Sequence, residues 1–148
     1  MRRYFRRFSF LVEDYPIELF VFESLAIVLV MPSLRLLVLL VVGFAFTIAV
    51  SESVKLISKE RRPKTALERK FYRNTFRLNR RSFPSAHSAG AMFFPFLFVG
   101  DYYVFVPLFV FAVVVMYSRL YIKSHYPRDV VVGAVIGAVI GYAVTALL

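Results

Sequence analysis

Long apolar stretches that carry almost no charge recur along this chain of 148 residues, and its charged residues cluster between them. Hydrophobic residues make up 59% of the sequence, whereas soluble domains usually contain about half or less. Since a membrane-spanning helix needs about 20 mostly apolar residues, the chain has room for about five. The pattern excludes an ordinary soluble enzyme, a disordered chain and a coiled coil, and it predicts an all-α integral membrane helical bundle.

Turn residues and charges divide the chain into five predicted spans within a single domain of residues 1–148. The predicted spans are residues 15–31, 34–54, 84–99, 102–121 and 127–148. Ahead of them, residues 1–14 place four arginines among aromatic residues, which is typical of an interfacial membrane segment. The polar loop at 55–83 is predicted to contain a short amphipathic helix at the membrane surface, with Leu67, Phe71 and Leu78 on one face.

Two glutamates and three glycines are notable within the predicted spans. Glu18 and Glu23 lie in the first span, where charged residues usually face the bundle interior or lie near the ends, so structural pairing is favoured over a functional role. Gly133, Gly137 and Gly141 are spaced by four residues in the last span, and small residues at that spacing let helices pack closely. Dimerisation and packing inside the monomer are both open interpretations, and we favour the second.

The composition also limits the chemistry that the chain can perform. It has no cysteine, which excludes disulfides, thiolate zinc sites and cysteine nucleophiles, and its two histidines are His87 and His125. The formal net charge is +10. Because the basic residues sit between membrane spans rather than in a soluble module, contact with membrane lipids or a phosphorylated substrate is favoured over nucleic acid binding.

Five spans place the loops at 55–83 and 122–126 on the same face of the membrane as the N-terminus. The turns at 31–34 and 100–101 share the other face with the C-terminus. The charged residues with a plausible chemical role therefore converge at one face, and they are Lys55, Arg62, His87, Arg119, His125 and Asp129.

This set suits the binding and transfer of a phosphoryl group. Arginine and lysine bind phosphate oxygens, and the helix N-terminus expected at Ser85 is a further position that favours anions. His125 precedes Asp129 by four residues, so the carboxylate can orient one imidazole nitrogen while the other attacks. His87 remains as the general acid for the leaving oxygen. Taken one by one, these residues also fit structural roles such as interfacial anchors or helix caps.

Three motifs occur in order at the ends of the predicted spans. They are KLISKERRP at 55–63, PSAH at 84–87 and SRLYIKSHYPRD at 118–129. In these motifs and their spacing the chain resembles the type 2 phosphatidic acid phosphatase family of integral membrane lipid phosphatases, over a core of residues 55–129. The family has glycine where this chain has Ala86, and we expect the added methyl group to be tolerated. Family members often have six spans, and the span missing here precedes the first motif.

The resemblance implies a mechanism that needs neither a metal ion nor a cofactor. His125 would attack phosphorus to form a phosphohistidine, Asp129 would orient His125, and His87 would protonate the leaving oxygen and then assist water. The phosphate oxygens would be bound by Lys55, Arg62, Ser85, Arg119 and the amide of Ala86. The substrate would be a lipid phosphate such as phosphatidic acid, a phosphatidylglycerophosphate-like lipid or a polyprenyl diphosphate.

In the predicted topology every lysine and arginine except Arg35 lies on the side of these residues. The positive-inside rule then predicts a site at the cytoplasmic face of a prokaryotic-type cell membrane. Two alternative functions stay open. One is a vanadate-dependent haloperoxidase-like enzyme, whose family shares the motifs but is soluble and larger. The other is a non-catalytic membrane protein that binds lipid phosphates, against which the pair of His125 and Asp129 argues.

Overall fold

A computed structural model of the chain describes residues 2–14, 16–58, 60–61, 63 and 81–148. Within these residues the fold contains six α-helices, and the paired extended residues are Arg61 and Arg81, which form an isolated bridge. The helices are α1 (Arg2–Asp14), α2 (Pro16–Val30), α3 (Leu34–Ser58), α4 (Ala86–Leu97), α5 (Tyr102–Tyr121) and α6 (Pro127–Thr145). The predicted all-α fold is confirmed for the described part of the chain.

Of the described helices, α3, α5 and α6 are long and apolar enough to cross a membrane. These three are fewer than the five spans predicted from the sequence. Helix α2 has 15 residues and α4 has 12. The apolar run at 84–99 is longer than α4, because Ser85 caps the start of the helix and Phe98 ends it. A helix of this length is about 18 Å long, well short of the roughly 30 Å hydrocarbon core of a bilayer.

Helix α4 lies at the centre of the bundle, where α3, α5 and α6 pack against it, and nine of its 12 residues are buried. Gly133, Gly137 and Gly141 of α6 face the α4 backbone. A Cβ atom added at Gly137 would lie 2.0 Å from the carbonyl oxygen of Ala89, and one at either of the other two would lie 2.3 Å from a backbone oxygen. The glycines therefore serve close packing inside the monomer, the interpretation that the sequence favoured.

The outer surface of the described bundle is apolar. On α6, Val131, Val135 and Val139 are each more than half exposed, on a face that differs from the one carrying the glycines. Val42 and Phe46 of α3 are exposed to a similar degree. Exposed apolar side chains in such number are expected of a surface that contacts lipid tails rather than water.

Helix α1 packs against α5 through an apolar face. The ring of Phe5 lies 5.5 Å from that of Tyr117 and 5.1 Å from that of Tyr121, measured between centroids. Val12 is buried in the core together with Val115. The helix thus buries an apolar face although its sequence is rich in arginine, an amphipathic arrangement that fits the predicted interfacial segment.

Candidate active site

Contacts between helix ends bring the three motifs to one end of the bundle. The backbone N–H of Ser85, just before α4, donates a hydrogen bond of 2.9 Å to the carbonyl oxygen of Asp129 in the first turn of α6. At the end of α3, the hydroxyl of Ser58 donates to the carbonyl oxygen of Phe83 at 2.7 Å. Arg119 lies in the last turn of α5. The segments that carry the two histidines therefore lie at the same end of the bundle.

His125 lies in the short connection between α5 and α6 and is 4% exposed. Its Nδ1 atom is 2.9 Å from the carbonyl oxygen of Ser82 and 3.7 Å from Oδ2 of Asp129. A carbonyl oxygen only accepts hydrogen bonds, so the shorter contact favours the tautomer with the proton on Nδ1 and the lone pair on Nε2. The sequence predicted the carboxylate as the orienting group, whereas the nearer acceptor in the structure is a backbone oxygen.

Asp129 is fully buried in the first turn of α6. Its Oδ2 atom accepts a hydrogen bond of 2.9 Å from the backbone N–H of Tyr126 and another from the hydroxyl of Ser82. The carboxylate therefore fixes the residue that follows His125 and also the residue whose carbonyl oxygen contacts the imidazole. Asp129 thus contacts His125 directly, at 3.7 Å, and indirectly through Ser82.

His87 is the second residue of α4 and lines a cavity of about 250 Å³. The apolar part of the cavity wall includes Phe20, Phe44, Ile48, Phe94, Phe111 and Val115. A second cavity of about 420 Å³ shares Leu19, Glu23 and Phe111 with the first and extends between α2 and α5. The predicted general acid thus borders a space with mainly apolar walls inside the bundle.

The two glutamates of the first predicted span have different surroundings. Glu18 is exposed. Glu23 lines both cavities, and its Oε1 atom is buried without a hydrogen-bond partner among the described residues. The structural pairing that the sequence favoured is therefore not found for Glu23 Oε1 in the part of the chain that the structure describes.

Two of the predicted phosphate ligands are buried cations, since Lys55 is 6% exposed and Arg119 is fully buried. Nζ of Lys55 forms an ion pair with Glu52, which lies one helical turn earlier in α3. Nε of Arg119 donates a hydrogen bond of 3.0 Å to the hydroxyl of Ser118, and Nη2 donates one of 2.6 Å to the carbonyl oxygen of Ser9 in α1. A buried charge is costly unless it is paired or hydrogen-bonded, and these contacts satisfy that requirement.

Ser85 and Ala86 form the start of α4. The hydroxyl oxygen of Ser85 accepts hydrogen bonds from the backbone N–H of Ser88, at 3.4 Å, and from its hydroxyl, at 3.0 Å. Ala86 is the first helical residue and lines the same cavity as His87. Because its φ is not positive, the conformation suits alanine as well as the glycine of the family pattern. A helix N-terminus beside a cavity is a favourable place for an anion.

Part of the predicted site lies outside the described residues. This applies to the phosphate ligand Arg62 and to Leu67, Phe71 and Leu78 of the predicted surface helix, so their roles stay predictions. Among the residues that are described, no group of three or more His, Asp and Glu side chains is placed to hold a metal ion.

The model of the PAP2 superfamily matches residues 36–148. The chain belongs to the PAP2 superfamily. The match contains all three motifs and agrees with the resemblance to type 2 phosphatidic acid phosphatases. PAP2 proteins are generally phosphatases, and the three described helices that are long and apolar enough to span a membrane are compatible with that activity. No curated protein and no solved structure matches the chain significantly.

Three residues that contact the candidate site residues were not identified from the sequence. Ser82 and Ser9 contact His125 and Arg119 through backbone carbonyl oxygens, which every residue type has. Ser82 also donates its hydroxyl to Asp129, 47 positions along the chain, and no sequence spacing marks that contact. Glu52 lies three residues before Lys55 in α3, a spacing that often places an ion pair on one helix face. That spacing was the one available signal.

Proposed function

We propose that this PAP2 protein is a membrane lipid phosphatase that hydrolyses a phosphomonoester or diphosphate of a lipid through a phosphohistidine at His125. The proposal depends most on the contact between Nδ1 of the buried imidazole and the carbonyl oxygen of Ser82. This contact favours the tautomer whose Nε2 is nucleophilic. Membership of the PAP2 superfamily supports phosphatase-type activity. The apolar cavity beside His87 supports a substrate with a hydrocarbon tail.

Substrate binding would use the cations and the helix start at this end of the bundle. The phosphate group would compete with Glu52 for Lys55 and would approach the guanidinium of Arg119. The remaining ligands in the proposal are Arg62, the hydroxyl of Ser85 and the amide of Ala86. Preorganised donors of this kind stabilise the charge that develops on the phosphoryl oxygens in the transition state.

In the first step, the Nε2 lone pair of His125 attacks phosphorus while the bond between phosphorus and the lipid oxygen breaks. His87 donates its proton to that oxygen, so the lipid leaves as an alcohol, or as a lipid monophosphate when the substrate is a diphosphate. The proton on Nδ1 stays with His125. The carbonyl oxygen of Ser82 and the carboxylate of Asp129 stabilise the positive charge that the imidazole gains.

In the second step, water attacks the phosphohistidine. His87, now neutral, accepts a proton from the water molecule as its oxygen bonds to phosphorus. The bond between phosphorus and Nε2 breaks, inorganic phosphate leaves, and His125 regains its lone pair. Both histidines return to their starting protonation states, and the scheme uses no metal ion.

The proposal includes an arrangement in the membrane. Helices α2 and α4 would complete a five-helix bundle with α3, α5 and α6, and α1 would lie at the surface. In the sequence topology every lysine and arginine except Arg35 is on the side of the site, and the positive-inside rule therefore favours a site at the cytoplasmic face. The lipid tail would stay in the apolar cavity or the bilayer while the phosphate group reaches His125.

The test is a phosphate-release panel with purified protein in a neutral detergent. Phosphatidic acid, a phosphatidylglycerophosphate-type lipid and a polyprenyl diphosphate are compared with a water-soluble phosphate ester that has no tail. We expect at least one lipid to be hydrolysed faster than the tail-free ester, and His125→Ala to abolish release. Lipid binding without release by the wild type, or full turnover by the variant, would overturn the proposal.

A further inference from the structure

Helix α1 positions Arg119, one of the proposed phosphate ligands. Nη2 of this fully buried arginine donates a hydrogen bond of 2.6 Å to the carbonyl oxygen of Ser9, which is also fully buried. Its Nε is bonded to the hydroxyl of Ser118 at 3.0 Å. A guanidinium group is planar, and its five N–H donors have a fixed geometry. These two hydrogen bonds therefore also fix the directions of the remaining N–H donors of Arg119. The orientation of Arg119 therefore depends on where α1 lies.

The inward face of α1 connects this helix to the rest of the site. Phe5 packs on the rings of Tyr117 and Tyr121 in the last two turns of α5, the helix that carries Arg119. Val12 lines the same cavity as His87. A displacement of α1 would therefore move the acceptor of Arg119 and part of the cavity wall together.

The outward face of α1 is basic and partly apolar. Arg3, Arg6 and Arg7 are exposed. Tyr4 and Leu11 are also exposed, by 75% and 54%. A helix that presents arginines together with exposed aromatic and aliphatic side chains suits the interface of a bilayer that contains anionic lipids.

We propose that α1 binds anionic lipid headgroups and that this binding holds Arg119 in the orientation that binds the substrate phosphate. Charge complementarity favours this partner. Location favours it as well. Helix α1 packs on the end of α5 that carries Tyr121, and α3, α5 and α6 are long enough to cross a bilayer. The contribution is additional to the PAP2 match, which begins at residue 36. The coupling to Arg119 rests on the proposed function, whereas the lipid surface itself does not.

The test uses protein in vesicles of phosphatidylcholine with or without phosphatidylserine, and the best lipid substrate of the panel at a fixed mole fraction. Phosphatidylserine has no phosphomonoester, so it does not compete as a substrate. We expect phosphatidylserine to raise kcat/KM of the wild type several-fold, mainly by lowering KM, and high salt to reduce this effect. The triple variant Arg3→Gln, Arg6→Gln, Arg7→Gln should show no rise, while its activity in neutral detergent equals that of the wild type.

Two further variants separate the binding of anionic lipid by α1 from the effect of that binding on Arg119. Arg35→Gln removes an exposed arginine at the start of α3, at the other end of that helix from Lys55, and should keep the full response to phosphatidylserine. Phe5→Ala keeps the basic face but loosens its packing on α5. This variant should still bind phosphatidylserine vesicles, yet it should lose the rise in kcat/KM.

A readout without turnover makes failure of this inference distinguishable from failure of the proposed function. Amide hydrogen exchange in α1 should slow when phosphatidylserine is present in the wild type but not in the triple variant. Slowed exchange without hydrolysis of any lipid phosphate would support the lipid surface and contradict the phosphatase instead. The coupling would be overturned if phosphatidylserine raised kcat/KM of the triple variant as much as that of the wild type. It would also be overturned if the triple variant lost the same fraction of activity in both kinds of vesicle and in detergent.

Discussion

His125 contacts the carbonyl oxygen of Ser82 at 2.9 Å, while Oδ2 of Asp129 is 3.7 Å from the same nitrogen. The motif spacing correctly predicted that His125 and Asp129 lie close together. It could not predict Ser82, because a backbone oxygen has the same chemistry in every residue and its place depends on how the chain returns to α4. In the structure the N–H of Ser82 donates to the carbonyl oxygen of Glu60 at 2.8 Å, which fixes that place.

Asp129→Asn tests whether the carbonyl oxygen of Ser82 or the carboxylate of Asp129 is the main group that orients His125. Since the carbonyl oxygen of Ser82 still accepts the Nδ1 proton in the variant, we expect kcat to fall by much less than the roughly 10⁴-fold lost where a carboxylate alone fixes the tautomer, whereas His125→Ala should abolish turnover. The measurement is steady-state phosphate release from the best lipid, with thermal unfolding as a check on folding. Asp101→Asn is the control, because Asp101 caps α5 at the opposite end from Arg119. A loss on the order of 10⁴-fold in Asp129→Asn would instead make the carboxylate the main orienting group.

At the scale of helices, apolar runs predicted which segments are helical, and the ends of those helices depended on local contacts. The predicted span at 102–121 coincides with α5. The run at 84–99 yields the shorter α4, because the hydroxyl of Ser85 accepts from the N–H of Ser88 and the chain turns at Phe98. Counting apolar residues does not detect such ends, and this explains why the span predicted at 84–99 is not among the three described helices that meet the length and composition of a span. The span predicted at 15–31 was itself short, and α2 within it has 15 residues.

The packing of α6 on α4 gives a prediction at the same scale. A Cβ atom at position 137 would lie 2.0 Å from the carbonyl oxygen of Ala89, so Gly137→Ala must push the two helices apart. We expect its free energy of unfolding in detergent to fall by about 1–3 kcal/mol or more. Gly100→Ala is a matched control, because among the described residues no atom beyond the chain neighbours lies within 4 Å of a Cβ added there. Equal stability of the two variants would contradict the close packing.

At the scale of the whole molecule, the two spans predicted between the loops at 55–83 and 122–126 placed both histidines at one end, and the structure has the segments that carry them at one end. The contact between Arg119 and Ser9 joins residues 110 positions apart and could not be predicted, because only the packing of α1 on α5 creates it. Arg62 lies outside the described residues. Its predicted role in the site therefore rests on the motif alone.

The charge asymmetry predicts which side of the membrane the site faces. We expect a short-chain lipid phosphate that does not cross the membrane to be hydrolysed by sealed vesicles with the cytoplasmic face outward, because the positive-inside rule places the basic end of the bundle there. Vesicles of the opposite orientation should release phosphate only after permeabilisation. Full activity of sealed vesicles with the cytoplasmic face inward would contradict the assigned orientation.

The central claim is that His125 bonds covalently to phosphorus, and trapping the intermediate tests it most directly. The protein is quenched in alkali during turnover of a substrate with a labelled phosphate and a good leaving group, because the phosphorus–nitrogen bond survives alkali and breaks in acid. His87→Ala should accumulate more label than the wild type, since water then attacks slowly, and His125→Ala should accumulate none. The account predicts acid-labile label on His125. Turnover without any label in the wild type and His87→Ala, or label that persists in His125→Ala, would contradict it.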